Sequence, residues 1–418
     1  MKILSVHNFY QQRGGEDMVV ASESQMLLAH GHTVVRYERH NDELRDIGPL
    51  GAILNGVGTV WASQSYHALK RLLIREKPDL AHFHNTFPLI SASAYYACAD
   101  VDVPVVQTLH NYRLMCPGGS FMRNGRVCES CLGRTIAWPA TAYRCYRGSF
   151  PQTAVLATML ATHKAIGTWQ RKVNVYIALS EFARQKFIQG GLPADRIVVK
   201  PNFVHPDPGA KTEPGQYGLF VGRLSEEKGL QVLLRAWEMM RQKIPLFIIG
   251  DGPLLEELRA QIVKCNLIHV TLSGGISATE VLARMHGARF LITPSICFEN
   301  FPVTVAEAFA CGLPVIASRL GSLGEIVEDG RTGLHFNPGD PEDLASKVEW
   351  AWANQKEMAL TGYTAREEYE QKYTAERNYE LLMNIYRQAV HARVSAVPLE
   401  CTLDSTTRNI SGKQVRGN

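Results

Sequence analysis

The sequence predicts an α/β protein of two Rossmann-like, doubly wound domains facing a central cleft. Three observations carry this. Short apolar runs alternate with helix-length amphipathic segments through both halves of the chain, and such alternation gives parallel sheets with right-handed crossovers. The alternation stops around Asn202–Gly209, where Pro206, Pro208 and Gly209 cluster, and restarts at Tyr217. At 418 residues, the chain is long enough for two domains with a full core each.

Lys2–His7 is a continuous apolar run, as a strand buried on both faces should be. The loop Phe9–Asp17 carries Gly14 and Gly15, and a helix follows to about His30, ended by Gly31. Further strands are expected at Thr33–Tyr37, Leu80–His84, Val103–Leu109 and Val175–Leu179. In the second half they fall at Tyr217–Arg223, Leu246–Ile249, Ile268–Leu272, Phe290–Thr293 and Val315–Ala317. The expected domains are 1–205 and 206–372. A last amphipathic helix follows at 373–392, then a polar, disordered tail at 393–418.

Net charge is +4, with Lys and Arg interleaved with acids, so no basic stripe points to nucleic acid. No apolar run reaches the roughly 18 residues of a spanning helix. The apolar run in Met1–His7 is too short for a secretory signal and reads as the first strand, so the cytoplasm is the expected compartment. Nine cysteines, mostly in apolar segments, suit reduced thiols better than a disulfide framework.

The chemistry concentrates in Phe298-Glu299-Asn300-Phe301-Pro302 and the following segment to Ala317. On one helix, Glu299 and Glu307 would be rotated by roughly 80° and sit roughly 12 Å apart. They could not then share a small ligand. Proline suits the first helical turn, so the helix should start at Pro302–Thr304. That leaves Glu299 in the loop at its positive end and Glu307 on its first turns. In Gly222-Arg223-Leu224-Ser225-Glu226-Glu227-Lys228-Gly229, an Arg fork and a Lys point charge lie between a strand and a helix start. This arrangement suits a diphosphate.

These segments resemble the nucleotide-sugar signature of retaining family 4 glycosyltransferases with the GT-B fold. The resemblance implies that Glu299 touches the transferred sugar and Glu307 the ribose, while Arg223 and Lys228 hold the diphosphate. It also implies that His110, at the end of a first-domain strand, touches the donor sugar near the reacting carbon. Gly14, Gly15, Gly252, Gly275 and Ile276 would wall the donor site, with backbone N–H groups of Asn300 and Phe301 adding contacts. The implied reaction passes a sugar from a nucleotide-diphosphate sugar to a glycan, lipid-linked glycan or small glycoside, with no catalytic metal. The final helix would cross back to the first domain.

The insert 113–148 holds Cys116, Cys128, Cys131 and Cys145, spaced C-x11-C-x2-C-x13-C. A central C-x2-C flanked by two more cysteines suits a structural zinc, with scattered free thiols as the main alternative and disulfides as a lesser one. His82 and His84 share a strand face and read as part of an acceptor-side loop rather than a metal site. Asp100-Val101-Asp102 has the letters of a metal-binding Asp-x-Asp, but it follows a helix-like run and reads as a turn. Thr153–Val173 reads as core packing first and as contact with the inner membrane surface second. A dinucleotide oxidoreductase would need Gly-x-Gly-x-x-Gly after the first strand, and Asn8–Asp17 lacks it. Two rivals stay open: an epimerase or phosphorylase on the same fold, and a nucleotide-sugar-binding protein without transfer.

Overall fold

The computed structural model describes residues 1–11, 14–45 and 49–394. The predicted disordered tail beyond residue 394 lies outside the described residues. The first sheet is parallel and contains β1 (Lys2–Phe9), β2 (Thr33–His40), β3 (Leu80–Phe83) and β4 (Val105–Thr108). A two-stranded antiparallel ribbon, β5 (Met122–Arg123) and β6 (Arg126–Val127), lies in the insert. β7 (Val175–Ala178) and β8 (Ile197–Val199) complete the first sheet, in the order β2-β1-β3-β4-β7-β8.

The second sheet contains β9 (Gly218–Val221), β10 (Leu246–Ile249), β11 (Val270–Gly274), β12 (Phe290–Thr293), β13 (Val315–Ser318) and β14 (Gly333–Phe336). Its order is β11-β10-β9-β12-β13-β14, and every pairing is parallel. The central strands β3, β4, β7, β12 and β13 are buried at every position, because helices cover both faces. Strand order reverses between β1 and β3 and again between β9 and β12. Such switch points open crevices at the carboxyl ends of the strands.

Besides the ribbon strands β5 and β6, two short strands of the large sheets escape the sequence reading. β8 is a three-residue run, and β14 is interrupted by His335. The apolar segment predicted at 153–173 is two helices, Phe150–Ala165 and Thr168–Arg171, broken where Gly167 adopts a left-handed conformation at φ 67°. The longer helix buries Thr153, Leu156, Met159 and Leu160. The insert is less loop-like than expected: it adds a helix, Trp138–Ala142, and sends Phe121 and Cys116 into the first-domain core.

The last helix, Ala375–Val394, packs against the first sheet through Leu382, Met383, Ile385 and Tyr386. Its Tyr386 hydroxyl lies 2.8 Å from His82 Nδ1. His82 is therefore a core residue, with Thr108 at 2.8 Å on its other nitrogen, and not part of an acceptor-side loop. Asp100 ends the helix Ser93–Asp100, and Asp102 sits in a turn at φ 55°.

Candidate active site

The second-domain crevice is built from the ends of four adjacent strands. After β9 the chain makes one short turn, Glu226–Lys228, before the helix Leu230–Met239. Gly229 joins them at φ 71°, and a Cβ there would overlap the Pro294 carbonyl beyond β12. Only glycine allows this close approach, which brings Lys228 beside the Phe298–Phe301 loop. Lys228 Nζ then lies 2.7 Å from Glu299 Oε1, and Ser295 Oγ donates to the same oxygen at 2.7 Å.

Burial pushes the Glu299 carboxyl upward, but the Lys228 charge and the bonds from Lys228 and Ser295 outweigh it and hold it below its ordinary value. Burial likewise works against the Lys228 ammonium, and Glu299 holds it above its ordinary value. Arg223, two residues after β9 ends at Val221, is exposed and makes no ion pair among the described residues.

The helix Val303–Ala310 starts after Pro302 as its N-cap. Glu299 lies ahead of it in the loop, and Glu307 lies within it. Glu307 has no cationic partner among the described residues, and burial raises its carboxyl to about 7. Beyond β10, Gly252 lies so close to Leu224 that a Cβ would collide with its carbonyl, locking this turn against the Arg223 loop. Leu224 N–H donates to the Asp251 carbonyl at 2.9 Å. Gly275 and Ile276 follow β11, with Gly275 against the Asp251 carboxylate. Gly252, Gly275 and Ile276 thus extend the crevice along the sheet edge, away from Glu299.

The first domain closes the other side. Gly14 caps the helix Gly15–Ala29 in an extended conformation, with no neighbour where a Cβ would stand, and Gly15 faces Val303 across the cleft. His110 follows β4. Its ring stacks at 5.4 Å on His84, whose Nδ1 is 3.1 Å from His110 Nε2. Burial, with the charges of His7, His82 and Lys200, lowers the His110 imidazole to about 3, so it is neutral at physiological pH.

Asn300 and Phe301 use their side chains for packing. Asn300 Nδ2 donates to the Leu109 carbonyl, next to His110, and Phe301 packs on Tyr373 at 5.6 Å. Asn300 Oδ1 is buried without a partner among the described residues, and the Asn300 carbonyl accepts from Ser180 Oγ at 3.4 Å. The Tyr112 hydroxyl donates to the Glu299 carbonyl at 3.3 Å. The link from Tyr112 to Glu299 was not readable in the sequence, because nothing local marks a tyrosine two residues after a histidine as a clamp between domains.

The eight described cysteines are free thiols. Cys116 and Cys145 flank Gly118, and Cys131 packs with Cys145. The groups of three ligand atoms within 4.8 Å among the described residues are Glu23, His82 and His84, and His7, Glu16 and Asp17. The insert cysteines share a locus without forming such a group.

Comparison with known proteins agrees in both domains. Residues 205–368 match the family model for glycosyl transferases group 1, and residues 13–208 match that for glycosyltransferase family 4. An uncharacterized glycosyltransferase of Methanocaldococcus jannaschii is 36% identical over 172 residues, covering 41% of this chain and 48% of that protein. Glycogen synthase of Mycobacterium tuberculosis is 28% identical over 307 residues, covering 69% and 66%. The chain thus spans from about half to just under two thirds of the length of these relatives. In fold it is similar to Anabaena HepE solved with UDP and glucose, at a TM-score of 0.66 and 19% identity, covering 93% of this chain and 100% of that one. With a second domain that matches glycosyl transferases group 1 and a first domain that matches glycosyltransferase family 4, on the GT-B fold, the chain is similar to family 4 glycosyltransferases in both of its domains.

Proposed function

We propose that this chain moves a sugar from a nucleoside-diphosphate sugar to a hydroxyl of a glycan, lipid-linked glycan or small glycoside, with retention at the anomeric carbon and no catalytic metal. The observation that carries the reading is the Lys228–Glu299 pair, 2.7 Å apart at the switch point of the second sheet. A diphosphate entering between Arg223 and Lys228 takes the ammonium as its partner. That frees the Glu299 carboxylate to accept hydrogen bonds from the sugar. Glu307 accepts from the ribose, and Gly252, Gly275 and Ile276 face the base. Gly14 and Gly15 leave room for the phosphates at a helix N-terminus.

The acceptor hydroxyl attacks on the face from which the diphosphate leaves. Arg223 and Lys228 meet charge as it grows on the leaving group, where a preorganised donor lowers the barrier most. Neutral His110 offers a hydrogen bond beside the reacting carbon without competing for the diphosphate. HepE, of similar fold, was solved with UDP and glucose, which supports this class of donor. The test is product analysis by proton NMR after incubation with UDP-, GDP-, ADP- and TDP-sugars and EDTA. A product with the donor's anomeric configuration is expected; inversion, or loss of activity rescued by magnesium, would overturn the mechanism.

Two subsidiary proposals go with it. The thiolate donor set of Cys116, Cys128, Cys131 and Cys145 suits a structural zinc, whose binding would draw the insert together. About one zinc per chain is expected by elemental analysis, and a metal-free, fully active protein would reject it. No helix among the described residues is long and apolar enough to cross a membrane. Ile136, Trp138, Tyr143 and Phe150 are nevertheless exposed, interspersed in sequence with Arg134, Arg144 and Arg147. This composition suits a peripheral contact with an anionic membrane surface. Sedimentation with anionic vesicles, absent with neutral ones, is the expected result.

A further inference from the structure

We propose that the first-domain cavity beside His110 is an anion subsite, in which Arg113 holds a phosphate or carboxylate group carried by the acceptor. The proposal rests on the transferase reading above and names the class of acceptor. His84, Phe87, Thr108, His110, Asn111 and Arg113 line the cavity, and Met159 and Trp169 give it an apolar back wall. Arg113 therefore shares one space with the histidine assigned to the reacting centre.

The guanidinium is fixed but unmatched. The Arg113 N–H donates to Asn111 Oδ1 at 3.0 Å, which sets the loop. The guanidinium carbon lies 4.5 Å from the Phe87 ring centre and 5.5 Å from that of Tyr146. Aromatic faces hold a planar cation well, but they do not replace hydrogen-bond acceptors. Nε and Nη1 are closed to solvent and meet no acceptor among the described residues. Among the described residues, no carboxylate comes within ion-pairing distance of the group. Glu16 acts on it only from farther away, and its own Oε1 is also buried without a partner.

The same protein completes a buried cation where the role is architectural. Lys200 Nζ has Glu23 at 3.2 Å and Asn378 at 3.0 Å. Arg113 is half-buried, and leaving its two enclosed guanidinium nitrogens without an acceptor is costly, so Arg113 has the character of a site awaiting an anion. A neutral sugar would leave the charge uncompensated. The donor diphosphate already has Arg223 and Lys228 in the second domain.

The experiment is calorimetric titration of the full chain with inorganic phosphate, glucuronate and, as a neutral control, glucose. It is repeated on Arg113→Gln, Arg113→Lys and Arg223→Ala. The wild type should bind at least one anion and not glucose. Affinity at this site should fall at least about tenfold in Arg113→Gln, be partly kept in Arg113→Lys and survive in Arg223→Ala. Binding of phosphate alone points to a phosphorylated acceptor, and binding of glucuronate alone to an acidic sugar. No anion binding by folded wild type, affinity unmoved by Arg113→Gln, or loss only in Arg223→Ala would each overturn the proposal. If Arg113→Gln fails to fold, retention in Arg113→Lys against loss in Arg113→Met decides. Nucleotide binding is read separately, so failure here is distinguishable from failure of the donor site.

Discussion

Lys228 and Glu299, 71 residues apart in sequence, meet at 2.7 Å in the crevice between β9 and β12. The two charges assigned to different parts of the donor hold each other in the free protein. The pair is partly shielded, with side-chain exposures of 25% and 13%. Each charge is thus kept in its ionised form until a ligand takes its place.

Lys228→Ala should leave Glu299 without its cation. Breaking a fully buried pair costs about 3–5 kcal/mol, and partial exposure reduces this to about 1–3 kcal/mol. Urea unfolding should show that loss, and turnover should fall at least about tenfold. Lys228→Met with Glu299→Gln should recover stability without recovering turnover. Recovery of both would mean that the pair only supports the fold.

Arg223→Ala offers the contrast. Arg223 is exposed and unpaired among the described residues, so its removal should change stability by less than about 0.5 kcal/mol. Turnover should still drop at least about tenfold, because the charge acts on the leaving diphosphate. Near-normal turnover would remove it from the site.

Glu307 makes the free protein sensitive to pH. Its carboxyl is raised to about 7 by burial, above an ordinary value near 4.5. Its stabilising contribution is therefore present below pH 4.5 and is lost as pH rises through 7. Glu307→Gln should be more stable than wild type at pH 8 by about 1–2 kcal/mol, discounted for partial exposure. The difference should shrink toward pH 5. Denaturant midpoints across this range provide the check. The same variant should bind nucleotide more weakly, since an amide replaces the ribose acceptor.

Asn300→Ala tests the bridge between the domains. It removes the bond to the Leu109 carbonyl, one residue before His110. Leaving that carbonyl unpaired should cost about 1–3 kcal/mol of stability. Turnover should fall more than nucleotide affinity does. An equal fall in both would place Asn300 in donor binding instead.

Much of this was legible in the sequence for a physical reason. Strands buried on both faces, such as β3 and β12, must be apolar at every position, and turn residues mark their ends. The Pro302 helix start was also readable, because proline fixes the first turn, and it separated Glu299 from Glu307 correctly. β8 and β14 were too short or too interrupted to stand out. Lys200 pairs with Glu23 at a separation of 177 residues, which no local pattern encodes. His82 read as part of an acceptor-side loop because the helix that buries it, carrying Tyr386, lies far away in sequence (the separation is 304). Similarly, Arg113 gains meaning only when Phe87 and Tyr146 fold over it.

The most direct test of the central claim is calorimetric titration of the wild type and Arg223→Ala with UDP, GDP, ADP and TDP. The account predicts saturable binding of one nucleotide class by the wild type, weakened at least about tenfold in the variant. A folded protein that binds none of them, or binds equally well without Arg223, would contradict it.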